Sequence, residues 1–87
     1  MKVQCIKFGK MLTSRPSGKE AFAILNSYLK PDDPNETIEL EFSDVQVVTP
    51  SWLDEVITGL KRENRKVICL PTKNETVIES LKMIEDV

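Results

Sequence analysis

The chain has 87 residues, 40% of them hydrophobic and 30% charged, with a formal net charge of −2. A chain this short buries about 60–65% of its unfolded surface, enough for one core and not two, and its composition excludes a disordered tail. No apolar run approaches the roughly 20 residues that cross a bilayer, so one soluble globular domain is expected.

Lys2 to Phe8 mixes valine, isoleucine and phenylalanine with polar residues and predicts a first strand. A lysine interrupts this apolar stretch, which is unlike a signal peptide, and a cytoplasmic location is expected. After a loop containing Gly9, Ser17-Gly18-Lys19-Glu20 has the form of a capping box and predicts a helix start. Ala21, Ile24, Leu25 and Tyr28 then recur at helical spacing, with Phe22 and Leu29 widening the stripe. Pro31-Asp32-Asp33-Pro34-Asn35 breaks the helix.

Thr37-Ile38-Glu39-Leu40-Glu41-Phe42 alternates strictly, which predicts a strand with one buried and one wet face. Thr49-Pro50 opens a second helix, with threonine as N-cap and proline in the first turn. Leu53, Val56, Ile57 and Leu60 form its apolar stripe. Val67-Ile68-Cys69-Leu70 predicts a third strand, ended by Pro71. A second capping box, Thr72-Lys73-Asn74-Glu75, leads into a last helix lined by Val77, Ile78, Leu81 and Ile84. The pattern is an α/β fold of three βα units. The wet face of the middle strand favours a small parallel sheet of order 1-2-3 with helices on one face, the chain forming a single domain over 1–87.

Charge is unevenly spread. Residues 31–60 hold Asp32, Asp33, Glu36, Glu39, Glu41, Asp44, Asp54 and Glu55 and no lysine or arginine, −8 against +6 for the rest. Such a segment repels phosphates, so nucleic acid is not an expected partner, and neither is a membrane. The chain has no histidine and no CxxC, and Cys5 and Cys69 sit in strand-like apolar surroundings, so neither a metal nor a cofactor is expected. Without GxxxxGK[ST], GxGxxG or GxSxG, the usual enzyme constellations are missing too, and a non-enzymatic role is expected. The sequons at Asn35 and Asn74 read as turn and capping residues.

The run from Leu40 through Ser43-Asp44 to Thr49-Pro50-Ser51-Trp52-Leu53-Asp54-Glu55 resembles the STAS domain of anti-sigma factor antagonists. It is more closely similar to an uncharacterised STAS-like family, whose same helix opens with a serine, an aromatic residue and an Asp-Glu pair. Ser14-Arg15-Pro16-Ser17-Gly18 resembles that family's arginine-bearing turn. The resemblance implies a regulatory protein-interaction module that binds through the N-terminus of the second helix. It implies a protein partner, with a histidine-kinase-like ATPase as the candidate type, and leaves homodimerisation open. The position of the family's phosphoacceptor falls on Pro50, which has no hydroxyl. Thr49 and Ser51 flank it as the candidate phosphoacceptors, where a phosphate would meet free helix amides.

The expected partner-binding residues are therefore Thr49, Ser51, Trp52, Asp54, Glu55 and Arg15. Each also has a structural reading. Ser51 can bond its own backbone, Trp52 can pack in the core, and Asp54 and Glu55 complement the helix dipole. Arg15 can pair with those acids or grip an anionic ligand. The alternative function is a small-molecule- or nucleotide-binding domain at the carboxyl ends of the strands, where the loops 9–17, 43–50 and 71–74 gather.

Overall fold

A computed structural model describes residues 1–28 and 35–85, the side chain of Glu85 excepted. Leu29 and most of the Pro31–Asn35 breaker lie outside the described residues. The elements in chain order are β1 (Lys2–Gln4), a 3-10 turn (Cys5–Phe8), β2 (Met11–Leu12), α1 (Arg15–Tyr28), β3 (Thr37–Glu41), β4 (Val47–Val48), α2 (Pro50–Arg62), β5 (Lys66–Cys69) and α3 (Glu75–Glu85). One parallel sheet has order β1-β3-β5, and a second, two-stranded parallel sheet joins β2 to β4. The described residues thus form five strands in two sheets where a single three-stranded sheet was expected.

The extra strands arise because the expected first strand stops at Gln4. Had it stayed extended to Phe8, Lys7 would share the inward face with Val3 and Cys5. The 3-10 turn, whose side chains repeat every third residue, keeps Cys5 buried and Phe8 half-buried while Lys7 stays exposed. Phe8 then packs on Trp52 with ring centroids 6.1 Å apart. Gly9, at φ 123°, closes the turn by donating to the Ile6 carbonyl at 2.9 Å. From there the chain re-enters pairing one layer further on, Met11 opposite Val47 and Leu12 opposite Val48.

In β3 the burial follows the alternation. Ile38, Leu40 and Phe42 are 1%, 0% and 3% exposed, while Glu39 and Glu41 are only partly covered. The opposite sheet face carries Lys2, Gln4, Glu39, Glu41, Lys66 and Ile68, none of them buried. On the inner face, Leu53, Val56, Ile57 and Leu60 of α2 are buried as expected.

The first helix departs more. It begins two residues before Ser17, and its cap is Ser14, whose Oγ accepts from the Ser17 N–H at 3.1 Å. The inward stripe is Gly18, Ala21 and Leu25, with Phe22 half-buried, while Ile24 and Tyr28 are exposed. A similar shift occurs in α3, which is capped by Asn74 rather than Thr72. The Asn74 Oδ1 accepts from the Thr76 N–H at 2.9 Å, and buried Ser80 takes a place on the inward stripe while Ile78 is exposed. α2 ends in a Schellman motif. Asn64 sits at φ 60°, and the Arg65 N–H reaches the Leu60 carbonyl at 3.0 Å and the Asn64 N–H that of Lys61 at 2.9 Å.

Candidate functional site

The two central helices cross closely where Gly18 faces α2. A Cβ on Gly18 would stand 2.7 Å from the Trp52 carbonyl oxygen and 3.0 Å from the Glu55 Cβ. This approach carries Arg15, one turn earlier on α1, over the first turns of α2. One nitrogen of its guanidinium, Nη1, donates to Glu55 Oε1 at 2.7 Å and to Asp54 Oδ2 at 3.2 Å. Asp54 and Glu55 diverge by about 100° around their own helix. A cation from a neighbouring helix bridges them all the same. These bonds, to Glu55 first and Asp54 second, push the Arg15 guanidinium still further into its protonated range. Asp54 also accepts from the Thr58 hydroxyl at 3.0 Å, one turn on. The bridge sets one cation against two carboxylates at an exposed surface, and Lys19 and Arg62 line the same pocket.

Beside it, Arg15, Pro50, Ser51 and Asp54 face Met83 and Ile84 of α3 across a cleft of about 230 Å³. Met83 is 61% exposed, so the cleft has one apolar lip and one polar lip. Thr49 occupies the N-cap position with extended backbone, but its hydroxyl does not cap. It donates to the Thr13 carbonyl at 2.9 Å instead, tying the loop before α1 to the start of α2.

Trp52 departs from expectation. It is 0% exposed, against Phe8 and inside the hydrophobic core, so in this conformation it gives a partner no surface. The helix turns Ser51 outward and Trp52 inward, as the 100° step between neighbours requires. The structure thus gathers Arg15, Ser51, Asp54 and Glu55, sets Thr49 next to them as a structural tie and removes Trp52 from the surface. Sequence reasoning missed Met83 and Ile84, which come from α3 and carry no local signal. It also missed Thr58, which its spacing of four residues from Asp54 could have revealed.

The loops after the strands are largely spent on one another. The Asn74 amide donates to the carbonyls of Val45 at 2.9 Å and Gln46 at 3.2 Å. The Thr76 hydroxyl accepts from the Val48 N–H at 3.0 Å, and buried Ser80 donates to the Val48 carbonyl, also at 3.0 Å. The start of α3 is thereby pinned to β4. Among the described residues, no cluster of histidine, cysteine or carboxylate side chains could hold a metal ion, and no helix is long and apolar enough to cross a membrane.

The chain that carries this site has a counterpart among known families. The model of a STAS-like domain of unknown function (DUF4325) matches residues 17–85. The chain belongs to this STAS-like family. The match takes in all of α2 and α3 and most of α1, and it begins just after Arg15, so the arginine of the bridge lies outside the matched segment of the STAS-like domain. No curated protein and no solved structure matches the chain.

Proposed function

We propose that this STAS-like domain is a non-enzymatic, cytoplasmic regulatory module that binds a protein partner through the N-terminal end of α2. The frame is three βα units, β1-α1, β3-α2 and β5-α3, with the strands in order and the helices on one face, a reading the alternating burial of β3 supports. The observation that carries the functional reading is the cleft in which Ser51 and the Arg15-bridged acid pair stand opposite exposed Met83. An apolar lip beside an Arg15-bridged acid pair suits a partner side chain with an apolar body and a polar or charged end. A histidine-kinase-like ATPase is the candidate partner type, resting on the family resemblance alone.

Thr49 contributes by holding the loop that positions Arg15, and is a poor phosphoacceptor while its hydroxyl is engaged with Thr13. Ser51 is the better candidate, being partly exposed and facing the cleft. The test is affinity capture from the cells the protein comes from, with wild type, Ser51→Asp and Asp54→Lys. The reading expects a partner retained by wild type and lost from both variants. Equal retention by all three would remove the interface from this surface.

A further inference from the structure

The crossing of α1 and α2 leaves an open groove of about 280 Å³, lined by Arg15 and Lys19 of α1 and by Asp54, Glu55, Thr58 and Arg62 of α2. Spacing puts them there. Arg15 and Lys19 are four apart on one helix, Thr58 and Arg62 four apart on the other, so each pair shares a face. Both carboxylates are engaged within the fold. Arg15 Nη1 donates to Glu55 at 2.7 Å and to Asp54 at 3.2 Å, and Asp54 also accepts from the Thr58 hydroxyl at 3.0 Å. Lys19 and Arg62 are exposed, and among the described residues neither forms an ion pair or a side-chain hydrogen bond. Their sequence neighbours Glu20 and Glu63 do not line the groove. On Arg15, only Nη1 is used, and the N–H groups of Nε and Nη2 are donors to spare.

Three cations from two helices thus border one concavity and outnumber its carboxylates by three to two. A group with several anionic oxygens satisfies them together, accepting charge-assisted bonds from Lys19 and Arg62, with Arg15 already fixed by the two acids as a third donor. Size limits what enters. A drug-sized ligand fills roughly 300–1,000 Å³ and is enclosed on most sides, so this open groove takes one group of a molecule and not the whole of it. We infer that the α1–α2 groove is an oxyanion site, taking one phosphate or carboxylate group between Lys19 and Arg62. It stands on these two side chains, and it holds whether or not a partner sits on the N-terminal end of α2.

The experiment titrates the isotope-labelled full chain with inorganic phosphate, and separately with acetate, by NMR at an ionic strength held constant with chloride. Phosphate is expected to move the Thr58 and Gly59 amides and the Arg62 Nε–H along one saturating curve. Saturation by phosphate alone supports the site with phosphate as its group, and saturation by acetate as well supports it for either group. Lys19→Gln and Arg62→Gln, both at exposed positions that leave the fold intact, are each expected to weaken binding about tenfold, the loss of one charge-assisted bond. Lys7→Gln combined with Lys73→Gln removes two exposed cations elsewhere and is expected to leave the affinity unchanged. Shifts that do not saturate, or that spread evenly over the surface lysines, would overturn the inference. So would binding that survives loss of both Lys19 and Arg62, or that the control pair weakens equally.

Discussion

Replacing Gly18 by alanine probes the helix crossing that places Arg15. The added methyl would meet the Trp52 carbonyl oxygen at 2.7 Å, the Glu55 Cβ at 3.0 Å and the Trp52 Cα at 3.1 Å. Two of these atoms belong to the backbone of α2 and cannot rotate away, so the helices must separate. Overpacking of this kind costs about 1–3 kcal/mol, and a collision with backbone belongs at the upper end. Alanine returns about 1 kcal/mol of helix propensity over glycine. The expected net loss is about 2 kcal/mol, a drop in Tm of roughly 8–16 °C for a domain of this size. Gly59→Ala is the internal control. Its methyl would meet the Phe22 ring at 2.6 Å, but that ring is half-buried and can swing, so the net change is expected at about 0–1 kcal/mol. Urea and thermal unfolding of both variants measure the difference. A Gly18→Ala variant as stable as wild type, or one less perturbed than Gly59→Ala, would refute the close crossing and with it the placement of Arg15.

Other substitutions follow from the same packing. Asn74→Ala removes the cap of α3 and the two bonds to the loop before β4, and is expected to cost about 2 kcal/mol in urea unfolding. The Cys5 thiol is pushed up to about 12, by burial first and by the Cys69 thiol second. From about pH 9 upward the unfolded chain releases this proton while the native chain keeps it, so the contribution of Cys5 to stability is constant below about pH 9 and falls by about 1.4 kcal/mol per pH unit from there to about pH 12. A Cys5→Ala variant should lose that part of the alkaline slope, and in native protein Cys5 should resist alkylation longer than the partly exposed Cys69. Trp52, fully buried, should show blue-shifted fluorescence that acrylamide hardly quenches, and Trp52→Ala should cost about 3–5 kcal/mol.

How much of this was legible in the sequence depended on whether the signal was local. The alternation in β3, the start of α2 at Pro50 and the stripe Leu53-Val56-Ile57-Leu60 are written in near neighbours, and each is found as read. The first strand was misjudged because extended and 3-10 backbones accept the same apolar residues, and only burial of Phe8 against a distant Trp52 decides between them. Capping failed by a register. Ser14 and Ser17, or Thr72 and Asn74, both offer hydroxyl or amide acceptors, and the tertiary bonds from Asn74 to Val45 and Gln46 favour one. In the site, the charge pair was readable as a choice of partners for Arg15. The Met83 lip depends on how α3 packs, and Trp52 on which way the first turn of α2 faces.

The central claim is that a partner sits on the N-terminal end of α2. It is tested most directly with a photo-crosslinking amino acid at position 51, irradiated in the cells the protein comes from, beside a control with the crosslinker at exposed position 82. The account expects one discrete crosslinked partner from position 51, absent from position 82 and lost when Asp54→Lys is added. Crosslinking that is equal at the two positions, or unchanged by Asp54→Lys, would contradict it.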